Sequence, residues 1–562
     1  MNNVKGSKIK IFALGGIGET GRNLYIVEVN QQIFILDAGI KNPGDDLLGV
    51  DAVIPDIKYL IENQERIAGL FLSHGHEEHI GAVPNILNVL SIPVYGTRLT
   101  MALVEDSLIE KGMDVNKYPL YKIRSSNVLT FGEVKVSFFN TTQNIPDSVG
   151  IAIHTTDGVV VYTSNYTFDQ NIDRNYQTDY RALTDLAQKG VLAVLGESLS
   201  ADKLGHTIGE HRFAFEIEEA FSSASGRIIV SVFSSDLKRI QKIIDVSHLQ
   251  NRKIAIVGRK LQRIVDLAVK MGYLKFPIPG MLVNLKYIDE NNDNNYPNLV
   301  VLATGERDEP FDSLIRMAKK IDRLINIEPS DTIILATPAI QGVEIKAART
   351  IDLLYRTGAN VHTIKKEFLP QAHASSEDIK LMINLLQPKY IIPVIGEYRH
   401  LHGHGKIAKS LGYATENIIL LENGVVVEFF QGDLVNISKE ITIDQILIDG
   451  LSVGEINNVV LKDRHQLSQD GIVLPIVTLD YKTKTIIAGP EVVSRGFIYV
   501  KENEEIIQTI VSIIEDAFKE GTTNPRTYDM NKVKTDIRDK IGKYLYKETK
   551  RKPIIMLVVN EI

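Results

Sequence analysis

The stretch Leu70-Phe71-Leu72-Ser73-His74-Gly75-His76-Glu77-Glu78-His79-Ile80-Gly81-Ala82 decides how this chain is read. Three histidines at His-x-His-x-x-His spacing follow an apolar run. With 13 histidines in 562 residues, random placement yields such a triplet on the order of 0.007 times, so chance is set aside. A strand ending in a tight turn can aim several imidazoles and a carboxylate into one pocket. That donor set suits divalent metal ions. The competing reading is a histidine-rich surface loop.

The surrounding pattern bears on that choice. Lys8 to Leu14, Asn23 to Val29 and Gln32 to Asp37 alternate as strands, with a turn at Asn30-Gln31, and Ala68 to Leu72 is a short apolar strand that delivers the histidines. A helix is expected from His79 to Leu90, with Pro84 in its first turns. From about Gly209 the rhythm changes. Buried-type strands at Ile228 to Val232, Ile254 to Val257, Leu299 to Thr304 and Thr332 to Ala336 alternate with helices such as Leu261 to Met271 and Glu344 to Arg356, which predicts a parallel α/β sheet. Near the end, strands at Gly471 to Asp480 and Thr483 to Ile487 precede two amphipathic helices, one carrying Ile506, Ile510 and Ile513, the other Val533, Ile537 and Ile541.

Composition bounds the function. A chain of 562 residues is too long for one core. Hydrophobic content of 44% and charged content of 24% are ordinary for a soluble protein. No apolar run approaches the roughly 18 residues of a membrane span, and the N-terminus lacks the apolar stretch of a signal peptide, so a cytoplasmic location is expected. The absence of cysteine confines any metal to His and carboxylates. A net charge of −7 argues against indiscriminate polyanion binding. Locally, nine Lys/Arg between Lys238 and Lys270 face only Asp245 and Asp266. Such a run is more often a set of solvated helix faces than a binding surface.

The whole series of motifs resembles the ribonuclease J family, metallo-β-lactamase/β-CASP ribonucleases. Besides the histidine cluster, the carriers are Ala13-Leu-Gly-Gly-Ile-Gly-Glu-Thr-Gly-Arg-Asn23, Leu36-Asp37-Ala-Gly39, Ile145-Pro-Asp-Ser-Val-Gly150, Gly305-Glu-Arg-Asp-Glu-Pro310, Gly396-Glu-Tyr-Arg399, Ser494-Arg-Gly-Phe497 and Arg551-Lys-Pro553. They run in family order over essentially the full chain. The resemblance implies an α/β fold: a metallo-β-lactamase αββα sandwich, an inserted β-CASP parallel α/β domain and a small C-terminal α+β domain. The expected boundaries are 1–208 and 368–446 for the lactamase-like domain, 209–367 for the β-CASP insertion, 447–464 for a linker and 465–562 for the C-terminal domain.

It also implies a seven-ligand two-metal site, which this chain does not supply. His74, His76 and His79 remain, but Glu78 stands where Asp is expected. Gln143 replaces a histidine, Asn165 replaces the bridging aspartate, and Ile395 replaces a third-loop histidine. Asn165 cannot bridge two dications as an anion, and Gln143 offers only a weak amide oxygen. The expectation is one weakly held divalent ion at most, with Mn suiting the set better than Zn. Glu78 and His373 are the candidate catalytic groups. Ser235, Lys238, Arg239, Gln371, Ala372 and His373 are the implied RNA- or phosphate-binding positions, and the resemblance places the basic stretch along the RNA path. Asp236 there would repel a phosphate unless Lys238 offsets it.

The function so implied is RNA processing and decay by a family member whose centre has degenerated, similar to the second paralogue some bacteria carry beside an active one. Its partners would be RNA, that paralogue in a hetero-oligomer, and further copies of itself in a homodimer or tetramer through the C-terminal domain, with no membrane. The alternatives are a weak Mn-dependent 5′-3′ exo/endoribonuclease and, last, a lactamase-like hydrolase of a small molecule.

Overall fold

The computed structural model describes residues 6–44, 47–169, 176–285, 298–305, 309–337, 343–369, 372–450, 452–454, 458–497, 504–522 and 529–562. Two compact units emerge, one of Met1–Asn42 with Val53–Ile446 and the other of Pro43–Ala52 with Leu447–Ile562.

In the first unit two sheets face each other. One runs Asp433–Lys439, Val425–Phe430, Lys8–Gly15, Leu24–Val29, Gln32–Leu36, Ile67–Phe71, Val94–Thr97 and Leu120–Ile123. The other runs Tyr390–Val394, Val191–Glu197, Gly158–Tyr162, Val149–Thr155, Val134–Asn140 and Val128–Phe131. Inward residues from both, among them Phe34, Phe71, Ile153, Tyr162 and Leu195, form one apolar layer between the sheets. Helices cover both outer faces. Val104 and Leu108 of the helix Arg98–Glu110 lie on one side, and Ile379 and Met382 of the helix Ser376–Leu386 on the other. This is the expected αββα layering.

A five-stranded, all-parallel sheet is inserted in the same unit, ordered Lys253–Val257, Leu299–Gly305, Ile228–Phe233, Thr332–Leu335 and Asn360–Thr363. Its central strands are buried apolar runs, as helices on both faces of a parallel sheet require. Leu99 and Ile145 of the sandwich join the apolar cluster of this insertion, so part of the seam between them is apolar.

The second unit pairs Ile472–Leu479 with Ile486–Arg495, Ile554–Ile555 and Val558–Glu561. The helices Glu504–Thr522 and Met530–Thr549 bury Ile510, Ile514, Ile537, Ile541 and Leu545 against that sheet.

Three local expectations change. The helix expected over His79 to Leu90 is two short ones, Glu77–Ile80 and Val83–Leu87. Pro84 has no N–H and its ring would clash with the preceding turn, so it can only open the second helix. The second strand of the C-terminal sheet begins at Ile486 rather than Thr483. Asp480 accepts from the backbone N–H groups of Lys482 (2.9 Å) and Thr483 (2.7 Å), and Lys484 sits at φ +57°, which holds those residues in a turn. The stretch 447–464, expected as a linker, contains most of the paired strands Ile446–Asp449 and Ser452–Val453 and the start of the helix Asn458–Asp470. Arg464 of that helix binds Asp449 at 2.5 Å and the Leu48 carbonyl at 3.1 Å, so the stretch is part of the second unit's fold.

Candidate metal centre

The C-terminal ends of strands from both sheets meet at one edge of the sandwich. Asp37 follows Gln32–Leu36, Ser73 and His74 follow Ile67–Phe71, Ser164 and Asn165 follow Gly158–Tyr162, Glu197 ends Val191–Glu197, and Ile395 follows Tyr390–Val394. The hub is Asp37, fully buried at φ +60°. Its carboxylate accepts from Ser73 N (2.8 Å), Ser73 Oγ (2.8 Å), His79 Nδ1 (2.7 Å) and Tyr162 OH (2.7 Å). Gly39, two residues on, lies against the backbone of Glu78; a Cβ there would overlap the Glu78 carbonyl. Asn23 Nδ2 also donates to that carbonyl at 2.9 Å. The histidine turn is thus held from three sides.

Within the turn the imidazoles bond to one another. His74 Nε2 lies 3.1 Å from His76 Nδ1, and His74 Nδ1 lies 3.0 Å from Ser73 Oγ and 3.3 Å from Ser164 Oγ. Burial, reinforced by the neighbouring imidazoles, pushes the His74 pKa well below its ordinary value, and burial lowers that of His76. His79 differs. Burial pushes it down, but the charge and hydrogen bond of Asp37 outweigh that, and its pKa is raised. Loss of water pushes Glu78 up, but the His76 and His79 imidazoles outweigh that and hold it below the usual carboxylate range. Its oxygen is 3.6 Å from His76 Nδ1, with the side chain still partly exposed.

These residues do not fit a two-metal centre. Among the described residues no group of three or more His, Asp or Glu is arranged to hold a metal ion. Asp37 orients His79 through Nδ1, which leaves Nε2 as its one free ring nitrogen, and that atom lies 3.4 Å from Asn23 Nδ2. Gln143 engages both ends of its amide: Nε2 donates to the Ala372 carbonyl at 3.0 Å and Oε1 accepts from Asn144 N at 2.7 Å. It ties two loops together. Asn165 is fully buried with neither amide atom hydrogen-bonded, and His76 Nε2 is likewise buried without a partner. Ile395 contributes only hydrocarbon.

The expected phosphate positions divide. His373 Nδ1 is 2.5 Å from Glu197 Oε1, and Glu197, fully buried, also accepts from Tyr166 N at 2.9 Å. Ala372 offers its carbonyl to Gln143. Gln371 lies outside the described residues, as do residues 306–308 of the Gly305–Pro310 motif. Ser235 and Asp236 precede the helix Leu237–Leu249, and Asp236 caps it by accepting from Arg239 N at 3.0 Å. The Asp236 charge is offset by Arg239 (3.0 Å), not by Lys238, which pairs with Asp169 at 3.2 Å. Arg239 is itself buried, donating to the Ala336 carbonyl at 2.7 Å.

Two residues central to this geometry were not among the candidates. Asp37 stood only as a family-like motif. Glu197 carried one usable signal, an acid ending the buried run Val191-Leu-Ala-Val-Leu-Gly.

A sandwich of this layering, with a parallel α/β insertion and a histidine turn at the strand ends, defines a metallo-β-lactamase-fold protein of the β-CASP type. Comparison with known families agrees along the chain. "Metallo-beta-lactamase superfamily" matches residues 17–163, "Ribonuclease J, beta-CASP domain" 225–354, "Zn-dependent metallo-hydrolase RNA specificity domain" 368–419 and "Ribonuclease J C-terminal domain" 459–562. The chain is 42% identical over 556 residues to Ribonuclease J2 of Bacillus subtilis (strain 168), with 99% of each chain covered. It is 40% identical over 560 residues to Ribonuclease J 2 of Staphylococcus epidermidis and 38% identical over 560 residues to that of Staphylococcus aureus (strain MRSA252), again with 99% of each chain covered. The chain belongs to the ribonuclease J family. A solved structure from Enterococcus faecalis V583, titled as a protein of unknown function, covers 75% of this chain and all of its own at TM-score 0.52 and 16% identity, which is a likeness of fold alone. The matched family names imply a divalent metal for the fold class.

Proposed function

We propose that this chain is an RNA-processing protein of the ribonuclease J family whose metal centre is degenerate, and that it acts mainly as a partner and modulator of an active ribonuclease J paralogue. The observation that carries the reading is Ile395. A buried β-branched side chain is held at φ +55°, beside Gly396 at +148°. That left-handed conformation costs a β-branched residue about 1–2 kcal/mol, whereas Asn, Asp and His adopt it far more readily. The loop keeps that strained conformation although its side chain offers no donor atom. Asn165 supports the same reading: an unbonded amide stands in a buried pocket where the resemblance implies a bridging carboxylate.

In this reading the intact scaffold serves assembly and RNA presentation in the cytoplasm, with self-association or pairing through the C-terminal unit. No helix among the described residues is long and apolar enough to cross a membrane. The test is co-purification from the native cell, together with degradation of labelled 5′-monophosphorylated RNA by the paralogue alone and mixed with this chain. Recovery with the paralogue and an altered rate or cleavage pattern is expected. A chain recovered alone, with no effect on the paralogue, would overturn the proposal.

Two observations favour a second reading, a weak Mn-dependent 5′-3′ exo/endoribonuclease. The His373–Glu197 pair is intact and His76 Nε2 has no protein partner. Activity of the isolated chain that rises with Mn²⁺ and disappears in His373→Ala would favour it.

A further inference from the structure

Several cations of the basic run Lys238–Lys270 are paired, whereas Arg259 and Lys270 are exposed. Lys260 pairs with Glu77, Arg263 with Asp106 (3.1 Å) and Glu110 (2.9 Å), and Lys238 with Asp169 (3.2 Å). The bases lie on the inserted domain, in the helices Leu237–Leu249 and Arg259–Lys270, and the acids lie on the sandwich. Two of the contacts stand at the mouth of the candidate centre. Glu77 lies between His76 and Glu78 in the chain, and Lys238 also donates its backbone N–H to the carbonyl of Asn144, beside Gln143.

We propose that these acids are internal competitors for RNA: they occupy the cations that would otherwise meet the phosphate backbone, and RNA binds by exchanging with them. The inference rests on the reading of the chain as an RNA-binding ribonuclease J relative, and adds how access to that surface is regulated. The energetics permit exchange. The side chains of Lys260 and Arg263 are each 37% exposed, so their pairs are reached by water, screened by salt and individually weak. A polynucleotide offers the same cations a row of phosphates and releases its own counterions on binding. Exchange need not part the domains, because Leu99 and Ile145 remain buried in the apolar cluster of the insertion.

The competitor model predicts opposite signs for the two halves of each pair, which a merely structural pair does not. The probe is a short fluorescent 5′-monophosphorylated oligoribonucleotide, titrated with the full chain at several salt concentrations. Glu77→Gln and the double variant Asp106→Asn/Glu110→Gln should each tighten binding, by up to about five-fold, the most that a partly exposed pair withholds. Asp169→Asn, whose pair with Lys238 is more buried, should tighten it in the same direction. Lys260→Gln and Lys238→Gln should weaken it, and each should lower the slope of log affinity against log salt by about one. Melting temperatures identify any variant that has failed to fold, and the three separate acid sites keep the test decisive if one does. Acid variants that are folded but bind RNA no better than the wild type overturn the proposal. Wild-type and acid variants that all fail to bind at low salt overturn the RNA reading and this inference with it. Binding that appears only when an acid is removed supports the competition directly.

Discussion

At the residue scale the pocket is organised by what Asp37 accepts and by what Asn165 and Ile395 do not supply. Asp37→Asn keeps the volume but turns one acceptor into a donor facing donors from Ser73, His79 and Tyr162. A loss of about 3 kcal/mol is expected in urea unfolding, because a buried network is left with an unpaired group. Restoring ligands works on the same scale. Glu78→Asp, Gln143→His, Asn165→Asp and Ile395→His together should rebuild metal binding, while the single changes do little, because ligands of one centre act as a unit. Ile395→His also places a side chain better suited to φ +55°. Metal content of the well-folded quadruple variant measures this, and no gain would place the loss in the groups that orient the ligands.

At the element scale, close approaches fix where the histidine turn and its neighbours sit. His404, on the helix Tyr398–Ser410, packs against Gly196, and its Nδ1 lies 3.0 Å from the Glu197 carbonyl. Burial pushes its pKa down to about 4. A depressed histidine stabilises the fold fully above its ordinary pKa of about 6.5 and loses that contribution as pH falls toward 4, because the unfolded chain binds the proton first. Unfolding measured from pH 7 to pH 4 should lose about 3 kcal/mol more in the wild type than in His404→Gln. Equal slopes would show that His404 does not titrate this way. The opposite sign belongs to His79, raised by Asp37, whose contribution fades as pH rises.

The elements also show what a sequence makes visible. Alternation announced the opening strands and the triplet spacing announced the turn, because both are local patterns, whereas the sandwich was implied by the resemblance. Contacts between distant positions were not visible. Glu197 and His373 are 176 residues apart. Lys238, Lys260 and Arg263 looked unneutralised because Glu77, Asp106, Glu110 and Asp169 lie far from them in the chain but against them in the fold. Gln143 could be read as a poor ligand, but not as a tie to the Ala372 loop, since that depends on which loop stands opposite.

At the scale of the whole molecule, the family's domains run along the full chain, and the proposed reading is that its centre has degenerated. The C-terminal part of the second unit begins at Leu447 and already includes the helix Asn458–Asp470, so a truncation inside that helix would cut through folded structure. Ending the chain before Leu447 is the cleaner test of assembly. The truncated chain is expected to lose co-purification with the paralogue, and full retention would place the interface on the sandwich or its insertion. The most direct measurement, however, is metal stoichiometry of the purified full chain by mass spectrometry, after dialysis against a mild chelator. A degenerate centre predicts well under two ions per chain. Two tightly held ions would contradict the account at its root, because the residues at positions 78, 143, 165 and 395 would then have to ligate in spite of their chemistry.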